Sequence, residues 1–413
     1  SATAMVALNL TRWRGLKVVH NQDSATAMVA LNLLYNVGSR DESPDLTGMA
    51  HLFEHLMFGG SENIPEFDKA LEAAGGTNNA WTNCDFTNFY DIVPAHNAET
   101  AFWLESDRMN ALAFNDKSLE VQRQVVSEEF KQVCLNQPYG DLHHHLNALA
   151  YKVHPYRYPV IGKDISHIEK VRSVDVRDFF YRHYAPNNAV LAVTGNISLD
   201  RTRELAEKWF GPIPARQVAP HVYPQEPVQT EPRRAIVYGR VPQTVIYKAY
   251  HMPGYNDRAY PVCDTITDLL SAGYSSRFYR DLLMGTTLFS KADASITGTS
   301  DPGLILLSAH LRDGVSVEEA EEAVTDSALS LIASPPSAHE LERVLNRFEA
   351  SHMFGTLGYA NLASALAQCE ARGEDINDVV PRQRTVTTDA IVNAVSAYIT
   401  PANSSTLIYS PRQ

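Results

Sequence analysis

Residues 48–60 read GMAHLFEHLMFGG, and the rest of the chain is organised around them. Asp45 or Thr47 suits a helix cap before this run, and Gly59 and Gly60 suit its end, so the spacing predicts one short helix. At about 3.6 residues per turn, His51 and His55 fall one above the other, and Glu54 shares their face. Met49, Ala50, Leu52, Phe53, Leu56, Met57 and Phe58 are apolar, which predicts burial on most sides and a single polar stripe. Two imidazoles and a carboxylate converging in an apolar setting need compensation, and a zinc ion supplies it. The plainer alternative is a core histidine bonded to a backbone carbonyl, and short patterns also arise by chance. A glycine-flanked HxxEH inside an apolar run favours the metal, since this is the inverse of the HExxH zinc motif.

With 413 residues, 44% hydrophobic and 20% charged, the chain has an ordinary globular composition and the length of two domains or more. A net charge of −13 argues against nucleic acid or an anionic membrane surface as partner. No apolar run approaches the ~18 residues of a membrane span. Cys84, Cys134, Cys263 and Cys369 are scattered without a CxxC, so neither a disulfide framework nor a cysteine metal site is indicated.

Along the chain, residues 1–10 and 24–33 are the same ten letters, SATAMVALNL, but their flanks differ, which is not how a structural repeat reads. Residues 15–21 and 26–36 read as paired strands feeding the 48–58 helix. The stretch 78–94, NNAWTNCDFTNFYDIVP, has the composition of an exposed or edge strand. Helical patterns follow at 98–114, 117–133, 140–152 and 173–183, then a strand at 188–193 and a helix at 199–210. Pro212, Pro214, Pro220, Pro224, Pro227 and Pro232 then mark a linker. The second half repeats the order: strands within 235–251, helices at 259–270 and 275–284, and strands at 288–297 and 304–311. Helices at 315–332, 338–354, 360–372 and 388–399 and a strand at 406–409 complete it. This predicts an α+β duplication, two homologous domains, each a mainly antiparallel sheet packed with several helices. Their limits are 1–212 and 233–413, joined by the linker 213–232, with the metal motif in the first alone.

A catalytic zinc takes three protein ligands and keeps one position open, so a third ligand is needed. Residues 118–133, SLEVQRQVVSEEFKQV, offer Glu128 and Glu129, which point about 100° apart on a helix. Gln122, Val126, Glu129 and Val133 form one stripe and Val121, Val125, Glu128 and Gln132 the next. Periodicity leaves both open, and taken alone the stretch reads as a solvated amphipathic helix. His143, His144 and His145 read as a solvated helix face, and Trp81, Trp103 and Tyr184 as packing.

HLFEH at 51–55, NNAWT at 78–82 and VVSEEFKQ at 125–132, in that order, resemble the pitrilysin/insulinase family of zinc metallopeptidases. The length is similar to its half-size type, that of mitochondrial processing peptidase and bacterial members. GSRDE at 38–42 and HPYRYPVIG at 154–162 carry the resemblance through most of residues 15–210, and beyond the linker it is one of layout. The resemblance implies a pitrilysin-like fold, with His51 and His55 as zinc ligands and Glu54 as catalytic base. It implies Glu129 as the distal ligand, just before the hydrophobic position filled by Phe130. The gap from His55 is shorter than usual, which keeps Glu128 as a second candidate. Asn79, Ala80, Trp81 and Thr82 match the edge strand on which the family pairs its substrate backbone.

Two departures stand out. Gln122 occupies the position where the family often has a supporting glutamate seven residues before the distal ligand. In the second half the family carries an Arg and a Tyr that clamp the scissile carbonyl, yet residues 282–290 read LLMGTTLFS, with Leu283 at the Arg position and no tyrosine. The resemblance therefore implies a Zn2+-dependent endopeptidase acting on unfolded peptides, working as a heterodimer with a homologous half-size subunit that brings the Arg/Tyr pair. A non-catalytic or peptide-binding structural subunit of the same fold is the alternative, and an intact HLFEH with Glu129 argues against the non-catalytic form, which has no need of Glu54. The expected setting is a soluble protein of bacterial periplasm or cytoplasm, between which the residues do not choose.

Overall fold

The computed structural model describes residues 9–412 apart from residues 14 and 114, and within them eleven strands form two sheets. The first sheet comprises β1 (Asn9–Trp13), β2 (Leu16–Gln22), β3 (Met28–Tyr35), β4 (Thr77–Thr82), β5 (Thr87–Pro94) and β6 (Ala189–Gly195), in the order β1-β2-β6-β3-β5-β4. The second comprises β7 (Arg233–Gly239), β8 (Val245–Met252), β9 (Phe289–Ile296), β10 (Gly303–Leu311) and β11 (Ser404–Pro411), in the order β7-β11-β8-β10-β9. Each sheet has one parallel pair, β2 with β6 and β7 with β11, and is otherwise antiparallel. Strand for strand, β2, β6, β3, β5 and β4 correspond to β7, β11, β8, β10 and β9. The duplication of an α+β unit is thus written in the topology.

The expected pairing of residues 15–21 with 26–36 is not made. Strand β6 inserts between β2 and β3, parallel to one and antiparallel to the other. Its sequence AVLAVTG is buried at every position, the composition of a strand covered on both faces, and so it takes the centre. The stretch 78–94, expected as one exposed or edge strand, is a hairpin. Only β4 is an edge; β5 is paired on both sides. Asn83 reverses the chain, its Oδ1 accepting from the N–H groups of Asp85 and Phe86 at 2.8 and 2.7 Å.

Two compact units result, each drawn from three separate stretches of the sequence. The first holds the residues through Phe130, Tyr158–Tyr223 and His352–Val379; the second holds Lys131–Arg157, Pro224–Ser351 and the residues from Val380 on. The helix Tyr359–Arg372 lays Leu362, Ala363, Leu366 and Ala367 on Val19, Ala30, Leu34, Val190 and Ala192 of the first sheet. Lys17 pairs with Glu370 at 2.8 Å, and the Thr194 hydroxyl donates to Tyr359 O at 2.6 Å. In the second unit, the helix Tyr260–Ser271 packs Ile266, Leu269 and Leu270 with Ile246, Ile305 and Leu307 of its own sheet.

Candidate metal centre

The helix α1 (Met49–Met57) is the element that carries the motif. Leu52, Phe53, Leu56 and Met57 are buried, and Phe53 stacks on Tyr184 with ring centroids 4.2 Å apart. Its N-terminus is not capped by Asp45 or Thr47. The Glu42 carboxylate reaches across instead, accepting from Gly48 N–H at 2.7 Å and Ala50 N–H at 2.8 Å. A carboxylate there also suits the positive end of the helix dipole. Thr47 instead ties α1 to the end of HPYRYPVIG, its Oγ1 accepting from Lys163 N–H at 2.8 Å. Gly48 (φ 88°) and Gly162 (φ 105°) meet in that joint, where a Cβ on Gly48 would lie 3.0 Å from Ile161 O.

The whole GSRDE stretch serves this scaffold. Arg40 pairs with Asp85 of the β4–β5 turn at 3.0 Å, both buried. Asp41 accepts from Gly38 N–H at 2.9 Å and is bonded by His221 Nδ1 at 2.9 Å and by the Tyr223 hydroxyl. The proline-rich segment is therefore fastened to the entrance of α1 at these two residues, a role the linker reading missed.

On the half-buried side of α1, His51 and His55 turn their Nε2 atoms toward one point, 3.3 Å apart. The helix α2 (Asp116–Phe130), packed beside α1, brings Glu129 Oε2 to 3.6 Å from His51 Nε2 and 3.4 Å from His55 Nε2. Glu128, one residue earlier, is exposed. Among the described residues these three form the only group of three or more His, Cys, Asp or Glu side chains placed to hold a metal ion. The fit is quantitative: bond lengths of ~2.0–2.1 Å at tetrahedral angles put ligand atoms about 3.3–3.4 Å apart. Burial pushes His51 down to about 4, so its imidazole is neutral, the form that ligates. The adjacent His55 ring holds Glu129 below the usual carboxylate range.

Glu54 lies on the same helix but outside that triangle. Its carboxylate accepts a short hydrogen bond from the Thr82 hydroxyl at the end of β4. Burial pushes Glu54 above the usual carboxylate range, and the Thr82 bond partly offsets this. Asn79, Ala80 and Trp81 lie on the same edge strand, with Asn79 Oδ1 accepting from Ala80 N–H at 2.8 Å. Gln122 is half-buried on α2, two turns before Glu129. His143, His144 and His145 lie on the helix Leu142–Ala150 in the second unit, where His145 Nε2 bonds Asp141 at 3.0 Å. Leu283 packs against the core of that unit. The sequence reading missed Thr82 as the partner of Glu54 and Glu42 as the cap, although GSRDE was the signal for the second.

Residues 17–164 match the family model described as insulinase, peptidase family M16, and residues 170–348 match that described as the peptidase M16 inactive domain. The chain belongs to the M16 peptidase family. It is 26% identical over 387 residues to the zinc protease PqqE of Helicobacter pylori, covering 92% of this chain and 87% of that one. It is 26% identical over 185 residues to the mitochondrial-processing peptidase subunit beta of Saccharomyces cerevisiae, covering 44% of this chain and 39% of the relative. The crystal structure of a protease from Helicobacter pylori shares the fold with a TM-score of 0.93 at 24% identity, over 98% of this chain and 100% of that one. Among the described residues no helix is long and apolar enough to cross a membrane.

Proposed function

We propose that this chain is a zinc-dependent endopeptidase in which His51, His55 and Glu129 hold the metal and Glu54 is the base. The observation that carries the reading is the triangle of Nε2, Nε2 and Oε2 atoms with edges of 3.3, 3.4 and 3.6 Å. Zinc held there supplies Lewis-acid chemistry, lowering the pKa of water toward about 7 and polarising a peptide carbonyl. Glu54, unneeded as a ligand, takes the proton from the attacking water and delivers it to the leaving amine. Thr82 fixes the orientation of that carboxylate.

The open edge of β4 fits an extended peptide that adds as a strand along Asn79, Ala80, Trp81 and Thr82, which favours unfolded substrates. Residues 282–290 offer no Arg or Tyr to the developing oxyanion, and one such donor is worth ~10²–10³ in rate. A homologous half-size subunit bringing that pair makes the functional form a heterodimer, a reading supported by the relative named as a subunit. The homologous domains remain assigned as 1–212 and 233–413.

The test is metal analysis coupled with peptide cleavage, by the chain alone and with a homologous subunit lacking HxxEH. One zinc per chain, loss of cleavage with a chelator and gain with the partner are expected. Glu54→Gln should keep the zinc and lose ~10²–10⁴ in rate. Survival of near wild-type activity in that variant would remove Glu54 from the mechanism and leave the peptide-capturing alternative.

A further inference from the structure

Within the second unit lies a cavity of about 330 Å³, walled by residues 134–137, 139 and 141 on one side and by the ends of β7 and β11 on the other. The proposed peptidase chemistry makes no use of it. Arg240 and Arg412 both line it. Arg412 is pinned to β7, its N–H donating to Gly239 O at 2.9 Å and its Nε to Tyr238 O at 3.1 Å, which leaves the two Nη groups for a ligand. Arg240 makes no hydrogen bond or ion pair among the described residues. In a chain of net charge −13, two guanidiniums at one cavity run against the general field.

The opposite wall is built under strain. Lys131–Leu135 is a π-helical turn, a rare geometry that recurs at functional sites. Tyr139 has φ 61°, alone among the described non-glycine residues in being positive, and strained backbone of this kind collects at ligand clamps. Its hydroxyl is fixed by donation to Gln243 O at 2.6 Å.

We propose that this cavity binds a peptide carboxylate, gripped by the Arg240 and Arg412 guanidiniums. Planar guanidinium forks match the two oxygens of a carboxylate. Asp141, already bonded by the Tyr409 hydroxyl at 2.7 Å and by His145, stands in the same wall and repels a dianion such as phosphate more than a monoanion. The side-chain amides of Asn136 and Gln137 offer a donor and an acceptor to the peptide group beside the carboxylate. The site lies wholly in the second unit and is read by binding, so it stands or falls apart from the zinc assignment.

Calorimetric titration of the full chain tests it with four probes: acetyl-Ala-Ala with a free carboxylate, its C-terminal amide, acetyl-Ala-Glu-Ala amide, and inorganic phosphate. The free acid or the glutamate peptide should bind about tenfold or more tightly than acetyl-Ala-Ala amide, and which of them does so separates a chain terminus from a side chain. Arg240→Gln should remove that margin with unchanged thermal unfolding, and Arg412→Gln should weaken the same probe. Equal binding of acid and amide, indifference to Arg240→Gln, or binding of phosphate alone would each overturn the proposal.

Discussion

The hydroxyl of Thr82 donates to the carboxylate of Glu54, so the final residue of the edge strand and the base proposed for peptide hydrolysis share one hydrogen bond. A peptide added to β4 would thus be placed by the strand that also orients the base.

Thr82→Val removes the hydroxyl while keeping the shape. The bond lowers the Glu54 pKa, so its loss raises it. Activity requires the carboxylate and is lost as pH falls through that pKa; the acid limb of kcat/KM should therefore move to higher pH. The plateau should fall about tenfold with zinc content unchanged, as for one hydrogen bond to a charged group. An unmoved acid limb would separate Glu54 from Thr82 functionally.

Glu129→Gln should lose zinc, with affinity falling by more than the ~10–100-fold typical of residues that merely support ligands. Glu128→Gln should retain it, because that side chain is exposed beyond the triangle. Metal analysis of the two purified variants decides between the neighbouring carboxylates, and the reverse result would reassign the ligand.

Ala80→Pro removes a backbone donor from the middle of the edge strand. KM for an unfolded peptide should rise about five- to tenfold, the worth of one main-chain hydrogen bond, while zinc stays bound. Unchanged KM and rate across proline variants at Ala80, Trp81 and Thr82 would rule out strand addition here.

A pH test of stability concerns Asp264, on the helix Tyr260–Ser271. Burial, with the charge of Asp268 adding to it, raises its pKa from 3.8 to about 7. The folded state keeps this proton while the unfolded chain releases it, so stability falls as pH rises from about 4 to 7. Asp264→Asn copies the protonated form and should raise Tm at pH 8, with little change at pH 4. An equal shift at both values would mean that the carboxyl is not held protonated.

What the sequence revealed was local. The spacing of His51 and His55 on one helix face, the order of elements and the duplication follow from short-range periodicity. What it hid was non-local pairing. No pattern in AVLAVTG states that β6 enters between two strands more than 150 residues earlier in the chain, and no periodicity tells Tyr359–Arg372 which sheet to cover. The cap of α1 was misread because Asp45 and Thr47 are adjacent, whereas Glu42 reaches Gly48 from six residues away. Glu128 and Glu129 fall on neighbouring stripes of α2, and only the packing of α2 on α1 sets Glu129 beside both imidazoles.

The helix Tyr359–Arg372 has a consequence for how the protein comes into being. One face of the first sheet waits for a cover that leaves the ribosome only after most of the chain has been made. At ~5–20 residues per second, the stretch from β6 to that helix takes on the order of ten seconds or more to synthesise. Throughout that interval Val19, Ala30, Leu34, Val190 and Ala192 lack their partner. Chaperones should therefore engage the nascent chain over this window and release it once residue 372 has emerged. A fragment ending at the prolines would keep the two histidines and the glutamate yet remain in that uncovered, aggregation-prone state.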